Sequence, residues 1–102
     1  MKLQFTSLRG ACTICLVGDL DIYNVEAARV GLLDHFADKA RIMLDLAGVE
    51  ACDTAGLQLL ISARRSAAAS GKSFGVLNLA PSVEKCTKLL GVKPEIWQSP
   101  TN

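Results

Sequence analysis

The sequence is poor in aromatic residues and contains no long hydrophobic run. Only five of its 102 residues are aromatic although half are hydrophobic, so the core is predicted to be aliphatic, built from Leu, Ile, Val and Ala. No apolar stretch approaches the roughly 20 residues that a membrane helix requires. The first five residues also lack the apolar centre of a signal peptide. We therefore expect a cytoplasmic protein with no direct membrane insertion.

The chain has no marked excess of charge of either sign. Eleven basic and ten acidic residues give a formal net charge of +1, with both signs interspersed. This balance argues against a broad nucleic-acid surface and against a polybasic membrane patch. A chain of 102 residues can bury a core without a metal or a disulfide. We expect a single domain over residues 1–102, with its core at about 3–92 and a loose tail at 93–102.

The four cysteines do not follow a metal-site or disulfide pattern. Cys12 and Cys15 have zinc-knuckle spacing, but side chains three apart on a strand point to opposite faces. No second close pair is present, since Cys52 and Cys86 are far apart in the sequence. The cytosol also keeps thiols reduced. All four are predicted to be small, mostly buried hydrophobic residues.

The hydrophobic periodicity predicts the element order β-β-α-β-α-β-α. Strands are predicted at Lys2–Leu8, Ala11–Val17, Arg41–Leu46 and Ser73–Leu79, with loops at Gly18–Asp21 and Ala47–Cys52. The predicted inward positions are Val25, Ala28, Leu32, Leu33 and Phe36 in the first helix, Leu57, Leu60, Ile61, Ala67 and Ala68 in the second, and Val83, Cys86, Leu89 and Leu90 in the third. Gly71 and Gly91 are expected to end the last two helices. Strands that alternate with helices require crossover connections, so the fold is predicted to be α/β with a partly parallel sheet.

The sequence offers little for catalysis. Its one histidine, His35, lies in the first predicted helix, which is the wrong element for the base of a nucleophile pair. The segment Ser70–Ser73 resembles the end of a phosphate-binding loop, but Ser66 stands where that loop needs glycine, and the segment closes a helix. Carboxylates at Asp19, Asp45 and Asp53 could gather at one end of the sheet and bind magnesium, yet such residues more often cap turns and helices. We predict no enzymatic activity, no metal and no cofactor.

The most informative segment is the passage from the third strand into the second helix. Asp53 and Thr54 are strong helix-start residues, and we predict that Thr54 caps the helix. A side chain there meets the unpaired amides and the positive end of the helix dipole, where a phosphate or a carboxylate is favoured. Gly56 would let the backbone of a partner approach closely, and Gln58 and Ser62 would extend the contact surface.

Several segments together resemble the STAS family, named for sulphate transporters and anti-sigma factor antagonists. They are the loop Gly18–Asp21, the strand Leu44-Asp45-Leu46 with Gly48-Val49, the turn Asp53-Thr54-Ala55-Gly56-Leu57, and the ending Leu89-Leu90-Gly91-Val92. The likeness runs from about Leu3 to Val92. It implies a mixed sheet of four to five strands flanked by three to four helices. It also implies a domain that works by docking onto a protein partner and has no catalytic activity.

The resemblance also shows where this chain departs from the family. In the anti-sigma factor antagonist branch the turn resembles Asp-Ser-Ser-Gly-Leu, and the phosphorylated serine falls at the position of Ala55. Thr54 retains the preceding hydroxyl and is the possible phosphoacceptor. The form Asp-Thr-Ala-Gly-Leu is also similar to that of the STAS subunit of bacterial ABC complexes that move phospholipids. In those complexes the threonine region contacts the ATPase subunit.

The prediction that follows is a regulatory docking domain of the anti-sigma factor antagonist type, acting as a monomer or weak dimer. Its partner would be a kinase-like anti-sigma factor, a chemotaxis-type protein or an ABC ATPase subunit. The predicted partner-binding and regulatory residues are Asp19, Asp21, Asp45, Asp53, Thr54, Ala55, Gly56 and Gln58. Trp97 either folds back on the core or anchors a partner, and the sequence leaves both open.

Overall fold

A four-stranded sheet carries three α-helices and a short 3-10 helix. The computed structural model describes residues 2–8, 11–36 and 39–97. The strands are β1 Lys2–Leu8, β2 Ala11–Leu20, β3 Arg41–Cys52 and β4 Ser73–Leu77, and the helices are α1 Val25–Phe36, α2 Thr54–Ala69, α3 Pro81–Leu89 and the 3-10 helix Pro94–Trp97. The α/β class and the predicted element order are confirmed.

The sheet is mixed, as predicted. Its spatial order is β1-β2-β3-β4, with β1 antiparallel to β2 and with both β2–β3 and β3–β4 parallel. The parallel pairs are joined through α1 and α2, because a parallel connection must cross back over the sheet. Ile14, Leu44 and Val76 lie side by side in neighbouring strands. This register aligns the apolar positions of the three parallel strands.

The core lies on one face of the sheet, beneath the helices. Alternate residues of β2 and β3 are fully buried, as the pleat of a strand requires. The strands contribute Cys12, Ile14, Leu16, Leu20, Ile42, Leu44, Leu46, Val49 and Phe74, and the α-helices contribute Ala28, Leu32, Phe36, Leu57, Leu59, Leu60, Ala63, Ala67, Val83 and Cys86. The core is largely aliphatic, as predicted, although Phe36 and Phe74 meet edge to face with ring centroids 6.4 Å apart.

Both central strands are longer than predicted. The segments Gly18–Leu20 and Ala47–Cys52, which we expected to be loops, extend β2 and β3, and Leu20 pairs with Cys52. Two register shifts interrupt this pairing, between Cys15 and Val17 and between Gly18 and Asp19. A bulge adds a residue to one strand and breaks the strict alternation of side chains, so the sequence pattern looks like a loop. In contrast, β4 is shorter than predicted, and Asn78 just beyond it has a φ of 51°.

The ends of the helices also differ from the sequence expectation. Leu33 is 44% exposed, Leu89 75% and Leu90 45%, so these three are not core residues. Ala68 is exposed as well. The inward side of α3 instead includes Thr87, which is 2% exposed. Gly71 and Gly91 follow the ends of α2 and α3 with φ of 72° and 69°, so glycine permits the left-handed conformation that closes each helix.

The described part of the predicted loose tail contains the 3-10 helix Pro94–Trp97 and packs against the core. Trp97 is only 7% exposed, and its indole Nε1 donates to Thr87 Oγ1 at 3.0 Å. The Thr87 hydroxyl in turn donates to the carbonyl of Val83 at 2.7 Å. Of the two readings left open for Trp97, the structure supports packing against the core. The rest of the tail, residues 98–102, lies outside the described residues.

Candidate functional site

The candidate site lies at the edge of the sheet where β2 and β3 end together. Because the two strands are parallel, their carboxyl ends meet at one edge. Leu20 is opposite Cys52, and the amide of Asp53 donates to the carbonyl of Leu20 at 3.2 Å. The β2–α1 loop and the start of α2 are thereby held side by side.

Asp53 caps α2. Its backbone is extended, its carboxylate Oδ1 accepts a hydrogen bond from the Gly56 amide at 2.9 Å, and its carbonyl accepts from the Leu57 amide at 2.9 Å. The prediction that Thr54 caps the helix is wrong, since Thr54 is its first residue. Aspartate and threonine both favour the cap position, and here the residue next to the end of β3 takes it.

The same carboxylate also holds the β2–α1 loop. Asp53 Oδ2 accepts a hydrogen bond from the Ile22 amide at 3.1 Å. Within the loop, Asp21 Oδ1 accepts from the amide of Tyr23 at 3.1 Å and from the side-chain nitrogen of Asn24 at 3.1 Å. The start of α1 and the start of α2 are therefore fixed to each other through two aspartates.

The remaining predicted residues are distributed around this junction. Asp19 is exposed, and its carbonyl accepts from Asn24 Nδ2 at 2.9 Å. Thr54 is exposed, Ala55 is partly buried, and Gln58 is exposed further along α2. The structure thus brings Asp19, Asp21, Asp53 and Thr54 together at one end of the molecule.

Asp45 does not join this group. It lies in the middle of β3, where it pairs with Cys15 on one side and Leu77 on the other. It lies eight residues before Asp53, roughly 25 Å of extended strand at most, so the alternative in which Asp19, Asp45 and Asp53 gather is not supported and Asp45 lies apart from the other predicted partner-binding residues. Asp45 Oδ2 faces the Cys15 thiol at 3.9 Å. Burial and this carboxylate raise the pKa of Cys15.

Within the described ranges, no three His, Cys, Asp or Glu side chains are placed to hold a metal.

Gly56 serves the packing of the fold. It is buried, and a Cβ built at this position would lie 2.1 Å from the carbonyl oxygen of Leu20. Only glycine allows α2 to lie this close to the end of β2. The interpretation that Gly56 opens the backbone to a partner is therefore corrected, because the backbone it approaches belongs to the same chain.

An open groove of about 620 Å³ runs from the start of α2 to α3. Its lining includes Cys52, Asp53, Thr54, Lys85 and Cys86. The Cys52 and Cys86 thiols lie beside each other, and burial together with this proximity raises the pKa of Cys52 to about 12. All four cysteines are free. Sequence analysis missed the groove because it depends on where α3 packs, and no local motif reports that.

The assembled site is a polar surface with a neighbouring groove. It presents an exposed hydroxyl at a helix N-terminus, carboxylates around it and a groove beside it.

His35 lies on α1, where its Nδ1 is 2.8 Å from the carbonyl of Gly31. None of the described helices is long and apolar enough to cross a membrane.

Several solved structures share the fold of this chain. An anti-sigma factor antagonist from Mycobacterium paratuberculosis matches with a TM-score of 0.76 at 21% identity, covering 88% of this chain and 77% of the other. The phosphorylated form of the Bacillus cell fate determinant SpoIIAA matches at 0.72 and 22% identity, covering 94% and 87%. A variant of Moorella thermoacetica RsbS matches at 0.77 and 17% identity, covering 100% and 88%. At these identities the likeness establishes the fold.

A family model provides the assignment itself. The model described as "Mlab, STAS domain" matches residues 3–94. The match spans all four strands, the three α-helices and the Asp53 junction. This agrees with the family indicated by the sequence motifs. The chain belongs to the STAS domain family.

Proposed function

We propose that this STAS domain is a non-catalytic regulator that docks onto a cytoplasmic protein partner through the beginning of α2. The observation that carries the proposal is the position of Thr54. It is the first residue of α2 and exposed, while Asp53 provides the cap. Its hydroxyl has no hydrogen-bond partner among the described residues. A surface hydroxyl that the fold does not use is available for recognition.

The preferred partner is a kinase-like anti-sigma factor or an equivalent signalling protein. This choice is supported by the likeness to solved anti-sigma factor antagonists, whereas membership of the STAS family is common to both candidates. The docking surface comprises Asp19, Asp21, Asp53, Thr54 and the adjoining residues Ala55 and Gln58. Asp45 is left out because it lies elsewhere on β3.

Phosphorylation of Thr54 would control the contact. A phosphate adds about 1.5 to 2 negative charges at pH 7. The helix dipole favours that charge at the first position of α2, whereas the adjacent carboxylate of Asp53 opposes it. The two effects partly cancel within the domain, so the fold is retained. A partner surface in direct contact with the small Thr54 side chain has no room for the phosphate and its hydration shell, so binding is weakened even where basic residues lie nearby.

The first experiment compares Thr54→Ala and Thr54→Glu with the wild type. Because Asp53 holds the cap, each variant should change the free energy of unfolding by no more than about 0.5–1 kcal/mol. Thr54→Glu should weaken binding to the purified partner at least tenfold, which corresponds to about 1.4 kcal/mol. Calorimetry gives the affinity and urea denaturation gives the stability.

Ala68→Glu provides the matched control for this experiment. It adds the same charge to an exposed position near the other end of α2, so it should leave binding unchanged. Equal affinity of Thr54→Glu and Ala68→Glu would refute docking through the start of α2. Loss of the fold in Thr54→Glu would refute the independence of Thr54 from folding.

The second candidate is an accessory subunit of a phospholipid-transporting ABC complex. The observation that favours it is Ala55, which stands where the antagonist branch carries the phosphorylated serine. On this alternative, the docking end would contact the ATPase subunit and regulate its turnover. Adding the purified domain to that subunit should change the rate of ATP hydrolysis, and Thr54→Glu should abolish the change. No response to the wild type would remove this candidate.

A further inference from the structure

Two large apolar side chains project into solvent beside the docking end. Ile22 is 65% exposed and Tyr23 is 91% exposed. Single exposed apolar residues are common on protein surfaces. These two are adjacent in sequence, however, and the amide of Ile22 donates a hydrogen bond to the carboxylate of Asp53. Ile22 and Tyr23 therefore belong to the same surface as Thr54.

The loop that carries them is held in place by hydrogen bonds. Asp21 Oδ1 accepts from the amides of Tyr23 and Asn24 at 3.1 and 3.2 Å. The Asn24 side chain ties the loop back to the carbonyl of Asp19. An anchor presented by such a loop loses little conformational entropy when it binds. Rigid aromatic anchors of this kind are typical of binding hot spots.

The charged side chains that hydrogen-bond to this loop, Asp21 and Asp53, are carboxylates. Asp19, Asp21 and Asp53 carry the carboxylates of this junction. The salt bridges found within residues 2–8, 11–36 and 39–97 pair Glu26 with Arg29 in the first turns of α1 and Glu84 with Lys88 in α3, so none of them involves a carboxylate of the junction. The complement of this surface is an apolar pocket with a basic rim. An anionic lipid surface is a poorer complement, because the carboxylates would be repelled from it.

We propose that Ile22 and Tyr23 are the apolar anchors of the docking end and enter a pocket on the protein partner that is rimmed by Arg or Lys. This inference rests on the proposed function and specifies the chemistry of the partner. It adds a contact on the β2–α1 loop that is separate from Thr54. The carboxylates would guide the encounter and fix the orientation, while the two apolar side chains would supply most of the affinity.

The test measures binding of Ile22→Ala, Tyr23→Ala and the control Val30→Ala to the purified kinase-like protein and to the purified ABC ATPase subunit. Val30 is 48% exposed on α1, so its truncation removes a comparable exposed apolar group away from the junction. Tyr23→Ala should weaken binding at least tenfold, and Val30→Ala should leave it unchanged. Raising the NaCl concentration should weaken the wild-type complex, and Asp19→Asn should reduce that salt dependence.

The outcomes separate this inference from the proposed function. If Tyr23→Ala and Ile22→Ala bind as the wild type does while Thr54→Glu does not bind, the anchor is refuted and the docking end stands. If the wild type binds neither protein, both proposals fail. If it instead binds phosphatidylglycerol vesicles and Tyr23→Ala does not, the anchor serves a membrane and the protein-partner assignment is overturned. Far-UV circular dichroism of each variant confirms that the fold is intact.

Discussion

Residue 56 is where the backbone of α2 comes closest to the end of β2. A methyl group added there would meet the Leu20 carbonyl oxygen at 2.1 Å and the Leu20 Cγ at 2.9 Å. The helix would have to move away from β2, and the Asp53 hydrogen bonds to both elements would be strained. One hydrogen in place of a methyl group therefore determines the geometry of the whole docking end.

We expect Gly56→Ala to lower the free energy of unfolding by about 1–3 kcal/mol, because forced overpacking outweighs the gain in helix propensity. Urea denaturation measures the change. Gly71→Ala is the comparison, since no atom lies within 4 Å of its Cβ position and the φ is 72°. Its cost of about 1–2 kcal/mol would come from the backbone alone. A Gly56→Ala protein as stable as the wild type would contradict the close contact.

Cys52 makes stability depend on pH in the alkaline range. Its pKa is raised from 9.0 to about 12 in the folded protein, by burial first and by Cys86 second. Between these values the folded state keeps a proton that the unfolded state has lost, so unfolding is favoured as pH rises. The contribution is fully present below pH 9 and declines toward pH 12.

The comparison that isolates this effect is between the wild type and Cys52→Ala. Lysine and tyrosine side chains titrate in the same range, but they are common to both proteins. From pH 8 to pH 11, the wild type should lose more stability than Cys52→Ala in denaturant titrations. Parallel pH profiles would show that the thiol titrates normally in the folded state.

At the scale of elements, the side chain of Trp97 links the 3-10 helix Pro94–Trp97 to α3. The indole of Trp97 donates to the Thr87 hydroxyl, which donates to the Val83 carbonyl. The relay satisfies two buried polar groups that would otherwise be costly. It also explains why α3 can bury a threonine on its inward side.

Trp97→Phe should lower the free energy of unfolding by about 0.5–1.5 kcal/mol or more, because it removes the indole donor and some buried volume. A double-mutant cycle with Thr87→Val tests the contact itself. The two changes should be coupled by about 0.5 kcal/mol or more, since both remove the same hydrogen bond. Strictly additive effects on unfolding would indicate that the two side chains do not interact.

The elements were predictable where their periodicity is regular. The helices and the middle of each strand follow apolar spacings that the sequence shows directly, such as Ile42, Leu44 and Leu46 in β3. The ends of the strands and helices were harder to predict. The continuation of β2 through Gly18 depends on pairing with β3, and the exposure of Leu89 and Leu90 depends on how α3 meets the sheet. Both are tertiary effects that a local pattern does not contain.

At the scale of the whole molecule, the sequence indicated which residues come together better than it indicated their structural roles. The sequence named Asp19, Asp21, Asp45, Asp53 and Thr54 as one group, and the structure brings all of them except Asp45 together. Assignment of the cap required knowing which residue the strand leaves in an extended conformation, and that residue is Asp53. Asp45 lies away from the Asp53 junction because β3 continues as far as Cys52. The exposure of Tyr23 and the groove toward α3 could be found only in three dimensions.

The spatial order of the strands is also the order in which the ribosome makes them. When β2, β3 or β4 emerges, the neighbour it pairs with already exists, so the sheet can grow outward without inserting a strand between two others. The junction of Leu20, Asp53 and Gly56 is complete once α2 has been synthesised. Only then do β4, α3 and the 3-10 helix Pro94–Trp97 follow, and α3 adds the far wall of the groove. The residues proposed to meet the partner, between Asp19 and Gln58, therefore all precede β4 and α3 in the chain.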